Sequence, residues 1–336
     1  MAEGPFTALA TGVRMPSIRG RKPAQRGDVS PFDRVADGLL KTLCAAAALL
    51  ALVIIAEIIY QVVSGARPAI SAFGLGFLVH EIWEPNFEKL GALTFIYGTA
   101  VTCTGAMLLA VPLGISIALY LSTVATGRVR GVIGPLIEML AAIPSVILGF
   151  WGLVVLAPFL SRHVEPFLHE TLGFLPIFGA PSTTGAGLFI TILILAIMVL
   201  PIVASISRDL LLSVPQDLRD GATALGATRW ELVRGVMLPC AASGIVAASF
   251  PGLGRALGEA IATSQVIGGG NYIHINFFET GGTLAGRIAE EVQGAPFKLQ
   301  HASLFYLGLI LLVIELGANL GSRAIVRRFD VYRAAS

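Results

Sequence analysis

One uninterrupted apolar stretch decides the fold: Leu188-Phe189-Ile190-Thr191-Ile192-Leu193-Ile194-Leu195. It lies inside a longer segment, residues 186–207, that contains no Lys, Arg, Asp or Glu. A helix that crosses about 30 Å of hydrocarbon needs about 20 residues of this kind. A strand of a membrane barrel would instead alternate apolar and polar residues over about ten positions. The stretch does not alternate, so it predicts a membrane-spanning helix.

Five further segments have comparable length and hydropathy, and with the first they predict six spans inside a permease-sized domain of residues 39–324. Their predicted bounds are 39–63, 95–121, 133–159, 237–267 and 303–324. The composition agrees, because 55% of residues are hydrophobic and 13% are charged, against about 25% charged in soluble domains. A soluble enzyme, an ordinary nucleic-acid binder and a disordered regulator are excluded. We expect an all-α polytopic membrane protein.

The basic residues predict the orientation of the chain in the membrane. Sixteen of the 23 Lys and Arg residues fall in four segments, and such segments stay on the cytoplasmic side. These segments are residues 1–38, 122–132, 208–236 and 322–336. Residues 1–38 and the tail 325–336 are therefore expected in the cytoplasm, and the first 30 residues lack the apolar core of a signal peptide.

The first span has an ambiguous beginning. Ser30 followed by Pro31 has the pattern of a helix N-cap and first helical residue. Phe32, Val35 and Leu39 would then lie on one side of a helix. They fit either a short amphipathic segment on the inner membrane surface or a simple extension of the first span.

Charged residues inside a span are costly and mark candidate sites. Glu57 and Glu315 lie near the ends of long helices, where a packing role is the simpler interpretation. Glu138 lies near the inner end of the third predicted span, and Pro144 follows it and permits a kink. The sequence does not distinguish a gate from a packing role for Glu138 and Pro144.

Arg255 and Glu259 form the sharpest candidate site for substrate translocation. They are four residues apart in the fifth span, so they share a helix face and can pair. On a helix continuous from Pro239, Arg255 would lie about 24 Å along it at roughly 1.5 Å per residue. A break at Pro251-Gly252 would invalidate that depth. The two residues either form a packing ion pair or offer a guanidinium to an oxyanion, with the carboxylate setting charge.

The inner loop, residues 208–236, predicts two short helices. Pro215 suits a first helical turn, and Gly226 suits a C-terminal cap. Thr228 and Glu231 match the capping box of a second helix. Small residues at 221, 222 and 224 leave a surface that another protein could approach.

This loop resembles a known family pattern. Asp220-Gly221-Ala222, then Gly226, then Leu238-Pro239 resemble the EAA loop of bacterial ATP-binding-cassette importer permeases, which couples to a cytoplasmic ATPase. Asp220 and Gly221 stand where that family has Glu and Ala. The resemblance implies ATPase coupling for Asp220, Gly221, Ala222, Gly226 and Pro239, and a type I (MetI-like) permease fold.

Further segments resemble the PstC family of phosphate-importer permeases. They are Tyr97-Gly98-Thr99, residues 111–115, 140–149, 152–159, 175–178 and 252–259. The resemblance implies a bacterial inner-membrane location and places Arg255 and Glu259 on a translocation path. The implied partners are a PstA-like sister permease, a PstB-like ATPase dimer and a PstS-like phosphate-binding protein.

No G-x-x-x-x-G-K-[ST] run is present, so ATP and Mg²⁺ are expected on the partner ATPase and no cofactor on this chain. The three cysteines and five histidines are too scattered to predict a metal site. Alternatives remain: the same machine for sulfate or molybdate, the PstA-type sister subunit, an ion-driven anion transporter with inverted repeats, or a non-transporting sensor subunit.

Overall fold

The computed structural model of the chain describes residues 31–334, which are helical almost throughout. In chain order the helices are α1 (Pro31–Phe73), α2 (Leu93–Val124), α3 (Gly127–Ala141), α4 (Ser145–Leu172), α5 (Leu188–Leu212), α6 (Gln216–Ala224), α7 (Arg229–Leu257), α8 (Ile261–Val266), α9 (Leu284–Glu291) and α10 (Lys298–Ala334). Extended pairing within residues 31–334 is limited to one isolated bridge between Glu84 and Lys89. The predicted all-α class is confirmed.

Six of these helices are long and apolar enough to cross a membrane, so the described residues contain the predicted number of spans. They are α1, α2, α4, α5, α7 and α10. α3 and α6 precede α4 and α7, and α8 and α9 follow α7. The protein is therefore a multi-pass membrane protein.

The third span begins later than the sequence predicts. The prediction was one helix over residues 133–159, whereas α3 ends at Ala141 and α4 begins at Ser145. Pro144 lies between them with an extended ψ of 136°. Because proline has no N–H to donate and disfavours the helical conformation of the residue before it, the first helix ends here. α4 then continues to Leu172 through two π-helical turns. Glu138 consequently lies on a separate helix before the span.

The chain divides into two compact units at Ile58. In the first unit, residues 31–58 form the first part of α1, and the side chains from Val35 to Ile58 are exposed. Because the helix continues without interruption from Pro31, the extension of the first span is the alternative that applies. The predicted N-cap, Ser30, lies outside the described residues.

The centre of the second unit is α5, the most buried of the candidate spans. It packs closely along α2, where Gly105 is so near Ile192 that a Cβ would lie 2.9 Å from its Cδ1 atom. Gly114 approaches Val203 in the same way, at 3.0 Å. Lipid is as apolar as a leucine side chain, so helix association depends on such close packing of small residues. α7 packs on the same core through Ala256 and Leu257.

Two loops of the second unit are joined through Asn276, one between α4 and α5 and the other between α8 and α9. Its side-chain Oδ1 accepts hydrogen bonds from the N–H groups of Gly179 at 3.0 Å and Phe278 at 3.2 Å. Its Nδ2 donates to the carbonyl of Ala180 at 3.0 Å. Backbone hydrogen bonds of Phe277 to Ile177 and of Phe189 to Phe277 extend the junction.

Candidate functional site

α7 breaks directly after the predicted translocation residue Arg255. The helix is continuous from Arg229 to Leu257, and Pro251 lies within it. Gly258, Glu259 and Ala260 are not helical, and α8 begins at Ile261. The break is therefore at 258–260 and not at Pro251-Gly252, so the segment from Pro239 to Arg255 is one helix, as the depth argument requires.

Glu259 divides its carboxylate between two partners at this break. Oε1 accepts from the backbone N–H of Ala262 at 3.1 Å and thereby satisfies a free donor at the start of α8. Oε2 lies 3.5 Å from Nη2 of Arg255. The Glu259 side chain is 5% exposed and that of Arg255 is 45% exposed. The sequence-predicted pair is thus brought together, as a buried anion beside a half-exposed cation.

The Arg255 guanidinium keeps most of its donors uncommitted. It has five N–H donors in a planar fork, and Glu259 is the one partner that the described residues provide for it. The 3.5 Å separation of the pair is longer than the roughly 2.7–2.9 Å of a charge-assisted hydrogen bond, so Arg255 is not locked to Glu259. The arrangement can therefore accept a further anion at Arg255 without dismantling a strong ion pair.

Glu315 on α10 approaches the same break. A Cβ at Gly258 would lie 3.3 Å from its Oε1 atom. Glu315 also lines a small cavity with Gly254, Leu257 and Asn319. From the sequence, we expected Glu315 to be a packing residue near a helix end. Its carboxyl group within a span was the signal that could have predicted its place beside the break.

The inner loop folds as two capped helical segments. α6 ends at Ala224, and Gly226 follows with φ of +85°, a conformation that only glycine adopts readily. The capping box is confirmed: Thr228 Oγ1 accepts from Glu231 N at 3.3 Å, and Glu231 Oε2 accepts from Thr228 N at 2.8 Å. Pro215 is the N-cap of α6 and not its first helical residue.

The second inner helix differs from the prediction in its extent. It does not end before the fifth span, because α7 runs unbroken from Arg229 through a π-helical turn at 233–237. Pro239 lies exposed in this continuous helix. A displacement of the loop would therefore act directly on the helix that carries Arg255.

The predicted coupling residues lie on an exposed surface. Asp220 and Gly221 are exposed, Ala222 is half-buried, and a Cβ at Gly221 would meet no atom within 4 Å. Beside them, Leu225 is 91% exposed and Trp230 is 66% exposed. Sequence reasoning did not predict that these two side chains are exposed. The available signal was a large apolar residue beside each helix cap. Leu225 and Trp230 lie on either side of Gly226, so the corner presents two large apolar side chains to its surroundings.

The remaining predicted residues lie apart from the Arg255–Glu259 pair. Glu138 accepts an ion-pair hydrogen bond from Arg208 at 3.1 Å, between α3 and the end of α5. Arg208 also donates to Asp209 at 3.0 Å. Pro144 forms the break between α3 and α4 rather than a simple kink.

A polar cluster near the loops around α9 was not predicted at all. Arg287 is 8% exposed and pairs with Glu291 at 2.9 Å and Glu290 at 3.4 Å, and its guanidinium stacks over Phe95 at 4.8 Å. Trp83 Nε1 donates to both Glu291 oxygens, at 3.0 and 3.1 Å. Burial raises the pKa of Glu290 above its ordinary value. The positive charge of Arg287 opposes this rise, and the negative charge of Glu291 adds to it. The cluster joins the segment before α2 to α9.

Two solved structures resemble this chain in fold. The first is the MetNI methionine ABC transporter in an inward-facing conformation, with a TM-score of 0.52, 19% identity, and coverage of 74% of this chain and 99% of that one. The second is a bacterial ABC transporter that imports alginate, with a TM-score of 0.55, 22% identity, and coverage of 87% and 99%. The six-span architecture is thus that of the MetI-like permeases of ABC importers.

The sequence comparisons give the family. Residues 110–331 match the binding-protein-dependent transport system inner membrane component family, and the chain belongs to it. It is 39% identical to the phosphate transport system permease protein PstC of Mesorhizobium japonicum, over 96% of this chain and 98% of that protein. It is also 39% identical to PstC of Haemophilus influenzae, over 88% and 94%. The chain is therefore a transport subunit.

Proposed function

We propose that this chain is a permease subunit of an ATP-driven importer that moves inorganic phosphate across the bacterial inner membrane. The relatives named phosphate transport system permease protein PstC support phosphate as the substrate, since they match almost the whole chain. The observation that carries the mechanism is the half-exposed Arg255 beside the buried Glu259 at a helix break.

The chemistry of this pair suits phosphate. A guanidinium offers parallel N–H donors that match two oxygens of a tetrahedral oxyanion. Phosphate near neutral pH still carries a proton, and the Glu259 oxygen that faces Arg255 can accept a hydrogen bond from it. Because Arg255 is 45% exposed, the anion keeps part of its hydration and is held weakly enough to leave.

ATP hydrolysis is expected on a separate, PstB-like ATPase dimer that carries ATP and Mg²⁺. Leu225 and Trp230, exposed around the Gly226 corner, supply the apolar contact for it. Both termini and the α6 corner lie on the cytoplasmic side in this proposal, in agreement with the distribution of Lys and Arg. A PstA-like sister permease completes the path, and a PstS-like binding protein delivers phosphate from outside.

Transport proceeds by alternating access. Closure of the ATPase dimer displaces α6, and α7 follows because its first turn belongs to the same inner loop. The path at Arg255 then opens to the outside, and it returns to the inside when the ATPase releases its products.

The test compares two arginine variants of the complete complex. Arg255→Gln removes the charge on the path and should abolish phosphate uptake, whereas Arg162→Gln removes an exposed charge elsewhere and should leave uptake unchanged. Both complexes are purified to confirm that sister permease and ATPase remain bound. Uptake at the parental rate by an assembled Arg255→Gln complex would refute the proposal.

Another oxyanion is the second candidate substrate, since a guanidinium also binds sulfate or molybdate. Labelled phosphate uptake in the presence of excess sulfate or molybdate distinguishes the two. Strong competition by either anion would support that alternative, and uptake that only unlabelled phosphate reduces supports phosphate.

A further inference from the structure

A hydrogen bond ties the inner loop to the end of α5. The Arg219 guanidinium on α6 donates from Nη2 to the backbone carbonyl of Leu211. That carbonyl is among the last four of α5, which have no partner within the helix. In a longer helix it would accept from residue 215, but Pro215 has no N–H. Arg219 replaces the missing donor.

Arg219 is also the principal inward anchor of α6. Arg219 and Ala222 are half-buried, while the other residues of α6 are exposed. Arg219 therefore gives α6 a side-chain link to the end of α5, in addition to the three residues that connect the two helices.

One turn earlier on α5, Arg208 connects to α3. Its Nη2 lies 3.1 Å from Glu138 Oε1, and the Arg208 side chain is 18% exposed whereas that of Glu138 is 55% exposed. The close approach has a local reason, because Gly134 on α3 leaves room for the guanidinium: a Cβ there would lie 3.2 Å from Nη1. The end of α5 and α3 are thus held together by a partly buried ion pair.

α3 in turn leads to the helix that Glu259 caps. Beyond the break at Pro144, Gly149 of α4 packs directly on α8. A Cβ at Gly149 would lie 2.8 Å from the Cα of Ala262, and Ala262 is the residue whose N–H Glu259 accepts. No space separates α4 from α8 here, so a shift of α4 must move α8 or the Glu259 cap.

We infer that Arg219, the Leu211 carbonyl, Arg208 and Glu138 form an inner relay that transmits movement of α6 to Glu259 through α3 and α4. This relay is additional to the direct continuity of α7 with the inner loop. Its role in transport rests on the proposed function. Arg208 and Glu138 act in it as positioning residues, because neither contacts the Arg255–Glu259 pair.

The test is a charge exchange in the complete complex in proteoliposomes. Arg208→Glu and Glu138→Arg each break the ion pair, and the double variant restores it with reversed polarity. Arg128→Glu, at an exposed position of α3, is the matched charge-reversal control. Phosphate uptake and ATP hydrolysis are measured on the same vesicles.

Each single variant should retain ATP hydrolysis while uptake per ATP falls about fivefold or more, the lower range of measured couplings between sites. The double variant and Arg128→Glu should both keep the parental ratio. Parental uptake per ATP in both single variants would overturn the relay. Losses that the exchange does not restore would also overturn it, because they indicate general damage to the inner end.

A second readout separates failure of the relay from failure of the proposed function. Spin labels at the exposed positions Ile261 on α8 and Leu108 on α2 report the movement of α8 relative to a helix outside the relay, in a background without the three native cysteines. ATP should change that distance in the parent and in the double variant but not in the single variants, whichever anion is transported. An equal ATP-driven change in all four proteins would refute the relay, whereas failure of the parent to take up phosphate refutes only the substrate assignment.

For Arg219, the variants are Arg219→Lys, which keeps a donor, and Arg219→Met, which removes it. Arg219→Met should lower uptake per ATP to the level of the single variants above, and Arg219→Lys should recover most of it. Equal uptake per ATP in Arg219→Met and the parent would remove Arg219 from the relay.

Discussion

The carboxylate of Glu259 accepts a hydrogen bond from the backbone N–H of Ala262 at 3.1 Å, across the break between α7 and α8. The same side chain therefore fixes the start of a helix and faces Arg255 with its other oxygen. Substitutions at Glu259 separate these two roles, because Gln keeps one acceptor oxygen for the Ala262 N–H and replaces the second carboxylate oxygen by an uncharged NH2 donor.

Glu259→Gln should leave the protein folded and weaken its discrimination between phosphate and sulfate. Sulfate carries no proton at neutral pH, so the carboxylate repels it and accepts no hydrogen bond from it. Hydrogen bonds to charged groups contribute about 1.5–3 kcal/mol, and about 1.4 kcal/mol is a factor of ten, so discrimination should fall about tenfold or more. Inhibition of labelled phosphate uptake by sulfate measures this effect.

Glu259→Ala serves as the comparison. It removes the cap as well as the charge, so its thermal unfolding temperature should lie below that of Glu259→Gln. If Glu259→Gln excludes sulfate as well as the parent does, Glu259 has a capping role alone.

Gly226→Ala should disturb the corner of the inner loop. The φ of +85° at Gly226 costs an L-residue roughly 1–2 kcal/mol. We expect weaker retention of the ATPase on the purified permease complex. Gly38→Ala is the matched control, because it lies inside α1 with no atom within 4 Å of a Cβ. Alanine there favours the helix by up to about 1 kcal/mol. ATPase retention by Gly226→Ala equal to that of Gly38→Ala would contradict the assignment of the corner.

Leu225→Asp should abolish ATPase binding while the permease remains as stable as the parent. Leu225 is 91% exposed, so its replacement removes no packing within this chain. A charge in the centre of an apolar contact is costly to desolvate. Pull-down of the ATPase and thermal unfolding are measured on the same preparations. Leu75→Asp, at a position 78% exposed before α2, should retain the ATPase, and equal loss in both variants would indicate a non-specific effect.

Glu290→Gln should stabilise the protein at neutral pH. Burial raises the pKa of Glu290 above the ordinary value of 4.5. The folded state therefore favours the protonated carboxyl, and this contribution is lost as the pH rises through the raised pKa. At pH 7.5 the Gln variant should unfold at a higher temperature than the parent, and the difference should narrow as the pH is lowered toward 4.5.

Glu170→Gln, at an exposed position, provides the control, and its unfolding temperature should match that of the parent at every pH. A Glu290→Gln variant less stable than the parent at pH 7.5 would show that the attraction of Arg287 outweighs burial.

Much of the fold could be predicted because the patterns that specify it lie within short stretches of sequence. Apolar length predicted six spans, and Thr228 with Glu231 predicted the capping box that the structure contains. The Arg255–Glu259 pair followed from spacing on one helix and persists at 3.5 Å. The sequence left open whether the helix breaks at Pro251-Gly252, and α7 accommodates Pro251 and opens at Gly258.

The features that sequence reasoning missed depend on distant segments. From the sequence, Arg287 is an ordinary residue between two spans. In the structure it shares Glu291 with Trp83, which lies in a loop far away in sequence. The ion pair between Arg208 and Glu138 likewise joins α3 to α5. For the third span, the apolar run continued across Pro144, and hydropathy alone gave no reason to end a helix there.

The junction at Asn276 has a thermodynamic consequence. One side chain makes three hydrogen bonds to two separate loops. The two loops therefore keep fixed positions relative to each other in the isolated subunit. A protein that docks on them meets a surface already ordered, and little binding free energy is spent on restricting loop motion. The rate of such an encounter is then governed by orientation and charge rather than by loop folding.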